Sequence, residues 1–334
     1  MRRGKTTGAL LRHYKCKKVL VTGGLGFIGA NLIESLKAAD CTIVRLLRTK
    51  AARPASPCRA DIRDVVGDMR KRVTWKRALR GIDVVFHLAA QTSVSVALED
   101  PVADFETNVL PMLQLLEICR HQQSGPVVVF AGTVTQTGIA ERLLVDEDHP
   151  DRPVTVYDTH KLMAETYLKQ YARAGFVRST VLRLANVYGP GPQSSAADRG
   201  VLNLMIRKAL ANKPLTLYGN GKFVRDYVFV HDVTRALLLA GAGIARLNGQ
   251  HFVIGTGHGH TLKEAFNLVA ERASLKTGRR VVVRHLPEPR FRQSIDSRSF
   301  VANSSKFRRA TGWRAKYRLV EGIDRTIEAY RCES

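Results

Sequence analysis

The chain has 334 residues, 45% of them hydrophobic, and a formal net charge of +24. That length and apolar content suit one large α/β domain or two unequal lobes, and no apolar run reaches the roughly 18 residues of a membrane-spanning helix. Five scattered cysteines (Cys16, Cys41, Cys58, Cys119, Cys332) lack Cys-x-x-Cys spacing, which argues against a disulfide framework or a metal site and fits a reducing cytoplasm.

Residues 1–16 carry no acid and no long apolar core; they are expected to be a frayed basic extension, not a secretory signal. Strand-like runs follow at 18–22, 42–47, 83–88, 127–131 and 179–184, separated by amphipathic stretches at 28–38, 73–80, 102–121 and 158–174. Such alternation predicts βαβ units and a doubly wound, Rossmann-type parallel sheet. Residues 17–190 are therefore expected to be one Rossmann-type domain, whose sheet regains segments from later in the chain. After Pro190-Gly-Pro192 the texture becomes mixed, with loops expected at 212–226 and 284–300. Residues 191–330 are expected to be mainly a smaller substrate lobe. The positive charge is spread along the chain, in clusters no longer than Arg70-Lys71-Arg72, without an aromatic-interleaved basic motif. It reads as a solvated surface favouring an anionic substrate, not as a nucleic-acid footprint.

The stretch Thr22-Gly-Gly-Leu-Gly-Phe-Ile-Gly29 lies between the first strand and the first helical pattern. Gly23 permits the tight turn, Gly26 lets backbone approach a pyrophosphate, and Gly29 lets helix and strand pack closely. Further along, Tyr157-Asp-Thr-His-Lys161 opens a helical stretch. The i, i+4 spacing puts a phenol and an ammonium on one face, where the cation lowers the phenol pKa toward the range of general acid–base catalysis. Upstream, Thr133 supplies a hydroxyl at a strand end.

With these motifs in order, the chain resembles the extended short-chain dehydrogenase/reductase family, in particular its nucleotide-sugar epimerases and dehydratases. The resemblance also rests on Gly67-Asp68, His87-Leu-Ala-Ala90, Leu184-Ala-Asn-Val-Tyr-Gly-Pro190, Gly219-Asn-Gly-Lys-Phe-Val-Arg-Asp-Tyr227, Asp232, Asn303-Ser-Ser-Lys306 and Thr311-Gly-Trp313. It implies Tyr157 as the acid/base at the sugar C4 hydroxyl, Lys161 as its partner on the nicotinamide ribose, and Thr133 as a hydrogen-bonding aid. The cofactor would be held by Gly23, Gly26, Phe27, Ile28, Gly29, Asp68, Met69, Leu88, Ala89, Ala90 and Asn108. Asn186 and Arg225 would bind a nucleotide diphosphate, with Thr135, Arg292 and Arg298 as further substrate contacts and no metal. His87 reads as a packed strand-end residue, and Asp232 and Asn108 also read as helix caps.

Two departures refine this. Where an acid ordinarily ends the second strand, the chain has Leu47 followed by Arg48; an arginine there accommodates a 2′-phosphate, which favours NADP over NAD. Val134 and Thr135 stand where the dehydratases carry an Asp-Glu pair, and neither can shuttle the proton that elimination requires. The resemblance thus implies a cytoplasmic, homodimeric nucleotide-diphosphate-sugar 4-epimerase acting through a transient 4-keto sugar. An NADPH-dependent 4-ketoreductase is the alternative; a 4,6-dehydratase, a decarboxylase or a non-catalytic nucleotide- or RNA-binding protein ranks lower.

Overall fold

The computed structural model describes residues 3–50, 59–121, 125–192, 200–288 and 298–332. The chain begins with α1 (Arg3–Arg12), β1 (Lys18–Thr22), α2 (Phe27–Leu36), β2 (Thr42–Leu47) and β3 (Asp61–Val66). Next come α3 (Arg72–Ala78), β4 (Val84–His87), α4 (Val94–Glu99), α5 (Pro101–Asn108), α6 (Leu110–Arg120) and β5 (Val127–Thr133). A 3₁₀ turn at Val134–Thr137 precedes α7 (Val156–Arg173), β6 (Arg178–Leu184), β7 (Asn186–Tyr188), α8 (Val201–Leu210), β8 (Leu215–Tyr218) and β9 (Val224–Phe229). The remainder holds α9 (Val230–Ala242), α10 (Ile244–Leu247), β10 (Gln250–Ile254) and β11 (Gly259–Thr261). It closes with α11 (Leu262–Thr277), β12 (Val283–Leu286), α12 (Ser305–Thr311) and α13 (Leu319–Cys332).

These elements form two compact units. Unit 1 takes Met1–Thr133, Val156–Arg183 and Thr234–Phe252; unit 2 takes Val134–Thr155, Leu184–Val233 and Val253–Ser334. Residues 134–155, expected within the first domain, group with unit 2, and the later residues 234–252 group with unit 1.

Unit 1 is built on a seven-stranded sheet in the order β10-β6-β5-β4-β1-β2-β3. β1 pairs in parallel with β2 and β4, β2 with β3, and β4 with β5. Strand β1 reads Lys-Val-Leu-Val-Thr and is buried after its first residue, as a strand covered on both faces must be. Strand order reverses beside β1, which places a topological switch point at the carboxyl ends of β1 and β4, where open α/β sheets bind ligands. Leu20, Val85, Val128 and Phe130 from the strands pack with Trp75, Leu115, Ala164 and Leu168 from the helices.

Unit 2 carries a three-stranded sheet, β11-β9-β7, and a two-stranded one, β12-β8. Its core gathers Tyr188, Met205, Phe229, Phe266, Ile323 and Ile327. Buried Asp226 accepts hydrogen bonds from the backbone N–H groups of Thr256, Gly257 and Ala302, tying β9 to the segments beside it. Asp232, in the first turn of α9, accepts from the backbone N–H groups of Lys316 and Tyr317.

Several elements differ from expectation. β3 was not anticipated, because its charged sequence Asp-Ile-Arg-Asp-Val-Val masks the pattern; it is an edge strand, and Arg45 of β2 donates to its Asp64 at 2.7 and 2.8 Å. The stretch 102–121 is two helices, with Pro111 in the first turn of α6. The regions expected to be loops contain β8, the start of β9, and β12, strands too short for their period to stand out. The extension is not frayed after residue 2: α1 forms, and buried Tyr14 donates to Leu238 O at 2.6 Å. Among the described residues no helix is long and apolar enough to cross a membrane.

Candidate active site

The first part of the site is a cradle in unit 1. Gly23 has φ +68°, and a Cβ there would lie 2.9 Å from the Ala89 Cα and backbone N. A Cβ on Gly29 would collide with Gly23 O. Only glycine therefore lets β1, the turn and α2 approach this closely. Gly26 is the N-cap of α2; it makes no side-chain cap, and the first turn holds no acid. The N–H groups around Phe27 and Ile28 consequently form a cap-free helix N-terminus suited to a pyrophosphate. Thr22, which the sequence reading left without a role, fastens the cradle. Its Oγ1 accepts from Leu88 N and Ala89 N, both at 3.1 Å, and lies 2.9 Å from His87 Nδ1. Burial and the nearby Lys161 cation push the His87 imidazole down to about 3, so it is neutral at physiological pH. It stacks on Phe130 and is a packed strand-end residue.

The wall beyond β4 is held from behind. Asn108 Oδ1 accepts from Gln91 N at 3.1 Å, while its Nδ2 donates to Gln91 O at 2.9 Å. The residue following Ala90 is thus pinned on both sides of its backbone. Asn108 closes α5 and works through its side chain, not as a cap. At the rim, Asp68 pairs with Arg70 at 2.8 Å, and Arg70 reaches Glu106 at 3.0 Å. Met69 packs against the core and its carbonyl accepts from Trp75 Nε1 at 2.7 Å. Leu47 is buried, and exposed Arg48 follows it.

The chemical part of the site lies on α7 and β5. Tyr157 and Lys161, one turn apart, are both buried, as is Thr133 at the end of β5. Lys161 Nζ donates to Ala131 O at 2.7 Å and sits 4.0 Å from the Phe130 ring centroid. Burial pushes the ammonium down to about 7, against the pull of the Glu165 and Asp104 carboxylates. The amine therefore changes charge near neutrality, as an acid–base partner requires. Glu165 lies one turn further along; burial opposes its ionisation, but the hydrogen-bonded Arg183 guanidinium overcomes that and holds it at about 2. Arg183 donates to Glu165 at 2.7 and 2.9 Å. Asp104, His160, Glu165 and Arg183 were not anticipated. For Glu165 the signal was present, in the i, i+4, i+8 series Tyr157, Lys161, Glu165; Asp104 and Arg183 come from other elements, beyond the reach of local spacing.

In unit 2 the structure brings together Thr135, Arg225 and Arg298. Arg298 is nearly buried and donates to Thr135 O at 3.1 Å. Arg225, on β9, donates to Val224 O at 3.1 Å and also to Arg298 O. Asn186 opens β7 in register with Tyr227 and is exposed. Val134 is buried, and Thr135 follows it in the 3₁₀ turn. Arg292 lies outside the described residues.

Residues 19–255 match the model of the NAD dependent epimerase/dehydratase family. The UDP-glucose 4-epimerase of Mycolicibacterium smegmatis is 30% identical over 325 residues, covering 95% of this chain and 99% of that protein. The crystal structure of the Thermus thermophilus UDP-glucose 4-epimerase in complex with NAD superposes with a TM-score of 0.80 at 35% identity, over 94% of this chain and 99% of that one. The Thermotoga maritima UDP-glucose 4-epimerase with UDP-glucose gives 0.83 at 30% identity, over 95% and 99%.

Proposed function

The chain belongs to the NAD-dependent epimerase/dehydratase family, and from that premise we propose that it is a nucleotide-diphosphate-sugar epimerase acting at C4. The observation that carries this reading is the buried Tyr157–Lys161 pair, its ammonium pKa pushed down to about 7 by burial, together with the absence of a carboxyl from the two residues that follow Thr133.

The cradle fits a nicotinamide dinucleotide: it has a cap-free helix N-terminus and a turn that any Cβ would fill. Gly23, Gly26, Phe27, Ile28 and Gly29 would hold the pyrophosphate, and Leu88, Ala89 and Ala90, supported by Asn108, would line the ring system. Asp68 and Met69 would face the adenine. When bound, the cofactor supplies reversible two-electron oxidation at the sugar C4. Tyr157 takes the proton from the C4 hydroxyl and later returns it. Lys161, as ammonium, favours the phenolate form of Tyr157 and donates to the ribose, while Thr133 orients the hydroxyl. Arg225, Arg298, Asn186 and Thr135 serve the nucleotide diphosphate, where guanidinium–phosphate pairing is strong and directional. An anchor on the diphosphate, not on the hexose, leaves either face of the sugar ring open to reaction.

Two finer points belong to this reading. Arg48, exposed after the buried Leu47, favours NADP over NAD; it also supports the second reading, a 4-ketoreductase drawing on NADPH. A cytoplasmic homodimer fits the scattered cysteines and the exposed Val96, Leu98 and Val102 on successive helices. Sedimentation tests the dimer.

The decisive experiment is incubation of purified protein with UDP-glucose and other nucleotide-hexoses, without added cofactor, followed by NMR. A C4 epimer with no net redox change supports the epimerase. Dependence on stoichiometric NADPH supports the ketoreductase. A 4-keto-6-deoxy sugar overturns both.

A further inference from the structure

Asp104 is a buried carboxylate that the mechanism above does not use. Its side chain is fully enclosed, and among the described residues no arginine or lysine pairs with it. A buried carboxylate without such a partner is costly unless its oxygens are hydrogen-bonded. Those of Asp104 are, by three donors from three segments. Oδ1 accepts from Gln91 Nε2 at 2.8 Å and from Asn108 Nδ2 at 3.0 Å; Oδ2 faces His160 Nδ1 at 2.7 Å. Gln91 follows the dinucleotide wall, Asn108 clamps that wall, and His160 immediately precedes Lys161. His160 is further set by an edge-on contact with Phe105.

The charges around Lys161 make Asp104 distinctive. Glu165 exerts the larger pull on the ammonium, but its charge is already shared with Arg183, Lys169 and the His251 ring. From β5 come the Phe130 ring and Ala131 O, and from β4 the neutral His87. Helix α6 carries Glu117 and Arg120, which pair with each other, Glu117 also bonding Tyr171. The charged residue of α4, Glu99, is exposed. Asp158, next to Tyr157 on α7, is also enclosed; Asp104 comes from a different helix and hydrogen-bonds both α7 and the wall.

Resting on the Tyr157–Lys161 reading, we infer that Asp104 is a positioning residue: through His160 it fixes the first turn of α7, through Asn108 and Gln91 it fixes the dinucleotide wall, and its charge sustains the Lys161 ammonium. One side chain thereby aligns the proton chemistry with the cofactor wall and sets the charge of the lysine that links them.

The test is Asp104→Asn, which keeps the shape and one carbonyl acceptor but removes the charge. Lysine labelled with ¹³C at Cε reports Lys161 by NMR without requiring turnover, and Lys161→Met identifies its resonance. The midpoint of that resonance near pH 7 is expected to fall by about one pH unit in Asp104→Asn, the lower end of the effect of a nearby opposite charge. The alkaline limb of kcat/KM should move with it, while kcat at low pH stays within about threefold of wild type. A midpoint unchanged in Asp104→Asn, or a uniform loss of activity at every pH, overturns the inference and leaves Asp104 as packing. If Asp104→Asn does not fold, His160→Asn and His160→Phe decide. The amide can still donate to Asp104 and should retain the wild-type pH profile, whereas the ring without a donor should not; equal profiles overturn the inference. Wild-type protein inactive on every nucleotide sugar, with the NMR midpoint still moved, would instead sink the epimerase reading and leave this inference standing.

Discussion

Lys161→Met should make the protein more stable at low pH while abolishing turnover. In the folded protein the ammonium is pushed from its ordinary 10.5 down to about 7 by burial. At about 1.4 kcal/mol per pH unit, that fall corresponds to roughly 5 kcal/mol of destabilisation borne by the protonated lysine. The sign follows from protons bound. Below pH 7 both folded and unfolded chains carry the proton and the penalty is complete. Between 7 and 10.5 the folded chain releases it first, so wild-type stability rises with pH. Above 10.5 the penalty is gone. Methionine removes it at every pH but leaves Ala131 O without its 2.7 Å donor, a loss of about 1–3 kcal/mol. The variant should therefore exceed wild type by about 2–4 kcal/mol at pH 6 and fall below it by about 1–3 kcal/mol above pH 10. Guanidinium unfolding at pH 6, 8 and 10 measures this. The chain has two tryptophans, one in each unit, so a Trp313→Phe background makes Trp75 the reporter of unit 1. Stability profiles that run parallel from pH 6 to 10 would refute the argument.

Tyr157→Phe should retain dinucleotide binding and lose on the order of 10²–10⁴-fold in kcat, the usual worth of a general acid–base; activity within about threefold of wild type removes Tyr157 from that role. Arg225→Ala should raise the KM for a nucleotide sugar by about 10- to 150-fold, since a charged hydrogen bond contributes roughly 1.5–3 kcal/mol, with kcat falling less than kcat/KM; equal losses would place Arg225 at the reacting sugar. Arg48→Asp should weaken NADP more than NAD in a fluorescence titration, and an unchanged affinity ratio makes Arg48 a surface charge. Glu165→Gln should destabilise by about 3–5 kcal/mol, because it leaves the enclosed Arg183 guanidinium without its counter-charge; a loss under about 1 kcal/mol in chemical denaturation contradicts that.

Motifs that act through the backbone were legible from the residues. The glycine turn declared itself because each glycine answers a local steric demand, and Gly23 and Gly29 meet those demands against Ala89 and within the turn. The i, i+4 pair on α7 was equally local. What escaped were features set by partners distant in sequence. Asp104 meets His160 across 56 positions, and Thr22 meets Ala89 across 67. β3 escaped for another reason: an edge strand tolerates charges such as Arg63, which disguise its alternation. Pro111 was visible, yet the apolar pattern around it continues on both sides, so the break between α5 and α6 did not register.

The interleaving of the two units governs how the chain can be made. β6 ends at Leu184, but its outer neighbour β10 starts only at Gln250. During synthesis at about 5–20 residues per second, β6 waits roughly 3–13 s as a bare edge before that neighbour emerges. An unpaired apolar edge is a template for another chain. The nascent protein thus has an interval of vulnerability to aggregation written into its connectivity, and a fragment ending near residue 190 would never leave it. Expression slowed after β6 emerges and before β10 does would lengthen the exposure.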